Sequence, residues 1–307
     1  MNDAVDESAA TAAGEREITA KIDTGELRRE WEDRANRARG VTLVTSLGAK
    51  TDIGRVRENN EDKYEFFVPE DEDSLARKGS LYAVADGMGG HNAGQIASEL
   101  ALKTAIASYY ADTSPVVEDS LRAAFGQANA LIFDAARAIT ERSGMGTTMT
   151  ALVLRGEEAF VAHVGDSRCY RVREGAIEQV TEDHSWVCEQ VKLGTMNEEE
   201  ALLSPFRNVI TRSLGAAPSV DVDVFSRELR AGDTFVLCSD GLSGEVTAEE
   251  IRDAARGSGA SKAAWDLVNL ALERGGRDNV TVLVVEVRDI VTDRPRRRGL
   301  GALLGRG

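Results

Sequence analysis

The sequence predicts an α+β fold of antiparallel sheets with helices packed on their outer faces, and three observations predict it. Strand-like runs arrive in neighbouring groups joined by short turns. Helical patterns arrive in pairs between those groups, and neither a regular βαβ alternation nor a fixed-period repeat runs through the chain. With 307 residues, 42% hydrophobic and 29% charged, the chain has ample material for a core, in one large domain or two small ones.

The elements follow in order. Residues 1–40 hold ten acidic and seven basic residues with almost no apolar periodicity, which reads as a disordered acidic arm. Within it "ELRREWEDRANRAR" suits a short helix, whose Trp31 could dock on a partner surface. From Val41 the texture changes. "VTLVTSLGAKTDIG" and "KYEFFV" carry the β-branched and aromatic residues of strands, and "SLYAVAD" is an unbroken apolar run bounded by turn residues. Helical spacing then covers 93–110 and 115–140. "TTMTALVLRG", "EAFVAHVGD", "RCYRVREG" and "AIEQV" read as four strands with turn residues between them. A helix over 185–193 follows, and Asn197 ahead of three glutamates reads as a second, capped helix start. The strand "DTFVLCSD", helices over 247–256 and 261–274, and the strand "NVTVLVVEV" complete the predicted domain, 41–288. From Arg288 onward there are six basic and two acidic residues. Residues 289–307 therefore read as a basic flexible tail, solvated or in contact with an acidic partner.

Charge and cysteine usage exclude several classes. A net charge of −15 argues against a general nucleic-acid binder, but not against a small phosphorylated substrate held through metal ions. Cys169, Cys188 and Cys238 are few, odd in number and far apart, as expected of a reducing compartment. Cys169 and Cys238 fall inside strand runs and read as small core residues. The N-terminus lacks the basic start and apolar stretch of a secretory signal, and no run approaches about 20 apolar residues. The expectation is a cytoplasmic protein without a transmembrane segment. G-x-G-x-x-G, the P-loop and G-x-S-x-G are all absent.

The chemistry lies in carboxylates at strand ends. "LYAVAD" ends at Asp86-Gly87, "FVAHVGD" at Asp166-Ser167 and "FVLCSD" at Asp240-Gly241. Asp278-Asn279 precedes "VTVLVVEV", and Glu61-Asp62 precedes "KYEFFV". One such aspartate is an ordinary turn former. Five such places, if they meet, gather more negative charge than can stay ionised without cations. All-oxygen ligands select Mg2+ or Mn2+, and three scattered histidines give no zinc spacing. Two such ions sharing a carboxylate can bridge and activate a water for in-line attack on phosphorus. Arg57, four residues before Glu61, is the best placed cation for the phosphate.

On these residues the chain resembles the bacterial metal-dependent, type 2C (PPM) Ser/Thr protein phosphatases. "TDIGRVRENNED", "VADGMGGHNAG", "GTTMT", "AHVGDSR", "TEDHS", "RNVITRSLG", "LCSDGL" and "RDNVTVLV" stand in family order and span about residues 45–287. The resemblance implies a four-layer α-β-β-α sandwich, two sheets flanked by helix pairs. It implies that Asp86 bridges two metals and that the Gly87 carbonyl binds one. Asp240 and Asp278 would hold the first metal, and Glu61 or Asp62 the second, directly or through water. Asp166 with Asp240 would hold a third, more labile ion, and Arg57 would grip the substrate phosphate. Some members carry a histidine general acid just after the Asp-Gly pair, where this chain has Met88. The leaving-group proton must then come from elsewhere, and His91 and His184 read as structural hydrogen-bonding residues. The 185–212 stretch resembles the family's mobile flap. The implied activity is hydrolysis of phosphoserine and phosphothreonine in proteins by a metal-bridged water, opposing Ser/Thr kinases, with a kinase among the partners. The alternatives are a catalytically silent binding module, which should lack ligand aspartates, and a hydrolase of small phosphate esters.

Overall fold

Strands buried on both faces need a core on each side, and this requirement organises the chain. The computed structural model describes residues 40–89, 93–139, 142, 144–257 and 259–292. The arm over 1–39 with Trp31, His91, and the basic tail beyond 292 lie outside the described residues. In chain order the elements are β1 (Val41–Asp52), β2 (Lys63–Phe67), α1 (Glu72–Lys78), β3 (Ser80–Ala85), β4 (Gly87–Met88), α2 (Ala93–Ala111) and α3 (Val117–Ala138). β5 (Gly146–Thr147), β6 (Met149–Arg155), β7 (Glu158–Val164), β8 (Arg168–Arg173), β9 (Ala176–Gln179), α4 (Trp186–Lys192) and α5 (Glu198–Leu203) follow. β10 (Asp223–Glu228), β11 (Thr234–Cys238), α6 (Asp240–Ser243), α7 (Ala248–Ala255), α8 (Ala260–Glu273) and β12 (Val280–Thr292) complete them.

The strands form two five-stranded sheets, β1-β12-β11-β8-β9 and β10-β7-β6-β3-β2, and the short pair β4-β5. Every pairing is antiparallel. Three cores separate four layers, as the sandwich requires. Leu81, Ala83, Met149, Ala151, Phe160 and Ala162 face α2 and α3. Their neighbours Tyr82, Val84, Leu152 and Val161 meet Phe235, Leu237, Leu283 and Val285 of the other sheet. Val236, Cys238, Val282 and Val284 then face Leu267 and Val268 of α8. The two-residue alternation is real, but both faces are apolar, so the sequence shows an unbroken run. Fully burying a side chain of this size stabilises by about 1.5–3 kcal/mol. Cys169 and Cys238 are buried free thiols in β8 and β11, as core residues should be.

The short β4, β5 and α6 escaped the sequence reading, and so did two longer elements. α1 lies in a polar stretch and is stabilised locally: Asp71 accepts from the Ser74 N–H at 2.7 Å. β10 is an edge strand paired with β7 alone, so only part of its surface is apolar. β12 continues to Thr292, four residues beyond the boundary drawn at 288, because Asp289–Thr292 pair with Val44–Val41. Among the described residues no helix is long and apolar enough to cross a membrane.

Candidate metal centre

The strand register decides where the carboxylates go. The end of β3 lies opposite the start of β2 (Ala85 with Lys63), and the end of β7 lies opposite the start of β6 (Val164 with Met149). In the second sheet the end of β11 pairs near the start of β12 (Cys238 with Val282). Asp86, Asp166, Asp240, Asp278 and Glu61-Asp62 therefore emerge at one end of the sandwich. A hydrogen bond spans the two sheets there, from Ser239 Oγ to Asp62 Oδ2 at 2.6 Å.

Burial is the first cause of the electrostatics, and mutual repulsion is the second. Asp62 is pushed up to about 7 by burial, with Asp240 and Asp278 adding to it against hydrogen bonds from Ser239 and Thr281. Asp166 is pushed up to about 8 by burial and then by Asp240 and Asp183. Asp86 is held well above the usual carboxylate range by burial and by Asp62, Asp240, Asp166 and Asp278. Burial also raises Asp240, with Asp278 next, and raises Glu61 against the pull of Arg57. Such a cluster keeps protons or gains cations.

Two oxygens favour cations. Asp62 Oδ1 and Asp166 Oδ1 are buried with no hydrogen-bond partner, a costly state for carboxylate oxygens unless an ion meets them. Among the described residues no three Asp, Glu, His or Cys side chains form a ready-made cage. Unneutralised carboxylates repel one another, and Mg2+ or Mn2+ fills its shell largely with water and takes few carboxylates. The donor set thus fits hard divalent ions.

Glycines and uncharged residues shape the cluster. A Cβ on Gly87 would stand 2.1 Å from the Gly94 carbonyl oxygen, and one on Gly94 would stand 2.5 Å from Glu61 Oε2. Only glycines let these three segments meet. Asn279 Oδ1 accepts from the Glu61 N–H at 2.8 Å, and its Nδ2 donates to the carbonyls of Ile53 and Asn59 at 2.9 Å. One side chain thereby folds the loop that carries Arg57, Glu61 and Asp62. The Asp86 N–H donates to Thr148 Oγ1 at 3.0 Å, and Thr147 Oγ1 donates to the Asp86 carbonyl at 2.8 Å. The sequence reading gave Asn279, Thr148 and Ser239 no role; Asn279 and Ser239 stand beside aspartates, and all three lie within the motifs of the resemblance. Arg57 lies at the rim, 53% exposed, with Nη2 2.7 Å from Asp278 Oδ2. Met88 is partly buried beside Gly146. His184 is bonded to Gly165 and Asp223, a structural place as expected. A cavity of about 670 Å³ runs from Asp166 and Asp240 to α4 and α5, past Arg168, Val191, Leu202 and Arg207.

Comparison with known proteins points the same way. A family profile described as Protein phosphatase 2C matches residues 55–271. The serine/threonine protein phosphatase PstP of Mycobacterium tuberculosis is 39% identical over 251 residues, 81% of this chain and 46% of its own length. The chain thus spans about half the length of that relative. The serine/threonine phosphatase stp of Listeria welshimeri is 36% identical over 242 residues, 77% of this chain and 94% of its own length. A crystal structure of the PstP catalytic domain in complex with two manganese ions superposes with a TM-score of 0.70 at 37% identity, covering 81% of this chain and all of that one.

Proposed function

This chain belongs to the protein phosphatase 2C family, and on that premise we propose that it removes phosphate from phosphoserine and phosphothreonine in proteins, using Mn2+ or Mg2+. The observation that carries the reading is the set of aspartates from separate strand ends, two of them with buried, unpartnered oxygens. Asp86, Asp240 and Asp278, with the Gly87 carbonyl and Glu61 or Asp62, would hold two ions, and Asp166 with Asp240 a third. Bound there, divalent ions supply the positive charge that brings an attacking water and the phosphoryl oxygens together.

The chain's own residues do the rest. Ser239 and Asn279 hold the Glu61-Asp62 backbone and carboxylate in place before any substrate arrives. Arg57 leaves Asp278 for the phosphate and orients it through a two-pronged charge-assisted contact. Its exposure at the rim leaves it free to make that exchange. Met88 has no proton to give, so the leaving oxygen takes its proton from solvent held in the cluster. All five aspartates are present, which disfavours a silent module. We further place a Ser/Thr kinase among the substrates and the protein in the cytoplasm. The three free thiols support that location.

A phosphopeptide panel assayed with manganese and with chelator tests the reading. Release of phosphate from phosphoserine and phosphothreonine peptides with manganese alone is expected. Full activity in chelator, or faster phosphotyrosine turnover, overturns it.

A further inference from the structure

Residues 186–210 carry α4 and α5, and little of this flap is buried. Neither helix contains a buried residue, and Leu193, Leu202 and Leu203 are 72, 74 and 85% exposed. Its position is therefore set at its base. There the Trp186 N–H donates to the Val209 carbonyl at 2.8 Å, and the Thr211 N–H donates to the His184 carbonyl at 2.9 Å.

His184 also reaches the loop that carries Asp166. Its backbone N–H donates to the Gly165 carbonyl at 2.7 Å, and the Gly165 N–H donates to its Nδ1 at 3.0 Å. A ring nitrogen that accepts carries no proton, so the neutral ring holds its proton on Nε2. Nε2 lies 3.0 Å from Asp223 Oδ2 at the start of β10 and donates to it. Arg212 Nη1 lies 3.0 Å from Asp223 Oδ1 and equally close to Nε2, two donors sharing one carboxylate. The residue is 6% exposed, its ring sits 4.7 Å from that of His163, and burial keeps it neutral.

We propose that His184 is a positioning residue: through Nδ1 it holds the Gly165-Asp166 loop, through Nε2 and Asp223 it holds the base of the flap. One imidazole then links the placement of the Asp166 carboxylate to the position of the flap. The proposal depends on the phosphatase reading only in taking Asp166 as a metal ligand.

Two substitutions separate the halves of the ring. Asparagine puts an amide oxygen near the place of Nδ1, and glutamine puts an amide N–H near the place of Nε2. On the full chain, manganese binding is followed by calorimetry and flap order by hydrogen exchange over 186–210. His184→Gln should weaken the Asp166 ion site about tenfold, the low end for a group that orients a ligand, while flap exchange stays near wild type. His184→Asn should keep the ion sites and speed flap exchange about tenfold. Asp223→Ala, outside the ring, should match His184→Asn. The same behaviour from both His184 variants, unchanged or equally damaged, overturns the assignment, as does an Asp223→Ala protein with a wild-type flap. Neither readout uses turnover. A chain that shows the split yet hydrolyses no phosphopeptide would overturn the proposed function and leave His184 its role.

Discussion

Metal-free protein should lose stability as the pH rises from 6.5 to 8, against the usual behaviour of carboxylates. A carboxyl with a raised folded pKa keeps a proton that the unfolded chain has already lost. Its stabilising contribution is present below the unfolded value and disappears as the pH climbs through the folded one. For Asp62 the interval runs from 3.8 to about 7, and for Asp166 from 3.8 to about 8. His163 opposes this at lower pH. Burial first, then His184, lowers it from 6.5 to about 3, so its folded state refuses a proton and stability falls below pH 6.5. Above 6.5 that opposition ends, and the carboxylates act alone. Across the window Asp62 contributes over half a pH unit and Asp166 over one and a half. At about 1.4 kcal/mol per unit for each group, the loss is about 3 kcal/mol. Asp86, also raised, adds to it. For a domain of this size that lowers Tm by roughly 6–12 °C. Thermal melts at pH 6.5, 7, 7.5 and 8 in chelator measure it. Asp166→Asn should reduce the slope, because it removes the contribution of Asp166 and relieves its repulsion of Asp86. Saturating manganese should reverse it, because ions bind the ionised carboxylates and stabilise only the folded state. A flat or rising Tm in chelator, or an undiminished slope in Asp166→Asn, would refute the reasoning.

Three further perturbations probe single parts of the site. Arg57→Ala should raise the apparent KM for phosphopeptides roughly tenfold with a smaller effect on kcat, since its charge-assisted contact holds ground and transition states alike; unchanged KM and kcat would mean that another cation binds the phosphate. Asp86→Asn should abolish both tight manganese sites in calorimetry, whereas Asp166→Asn should keep them and lose activity on phosphoproteins more than on an aryl phosphate with a good leaving group. The reverse pattern would exchange their roles. Gly87→Ala puts a Cβ 2.1 Å from a carbonyl oxygen and should cost more than about 3 kcal/mol in denaturant unfolding, so a wild-type midpoint would contradict the packing described.

What the sequence reveals of this protein follows from where the information sits. Strand positions were legible because apolar and β-branched runs bounded by turn residues are local signals, and the paired helices on each outer face were legible from their spacing. α1 and β10 were not. A seven-residue polar helix draws its stability from an Asp71 cap and dipole-matched charges, and an edge strand has half the apolar surface of a central one. At the site the carboxylates were legible, since a charge at the end of a buried strand needs a reason. Their supports were not, because an uncharged side chain takes its role from a partner far away in sequence. Ser239 reaches Asp62 across 177 positions, and Asn279 reaches Glu61 across 218. His184 makes the same point most sharply. Read locally it is one histidine in "TEDHS", a structural residue whose partners the sequence does not name. Only the fold brings the Gly165 N–H to one nitrogen and Asp223 to the other. With both nitrogens engaged there, neither is left to serve a phosphate. On the proposed reading, the work of this imidazole is to hold the Asp166 loop and the flap in register, and the chemistry is left to the aspartates.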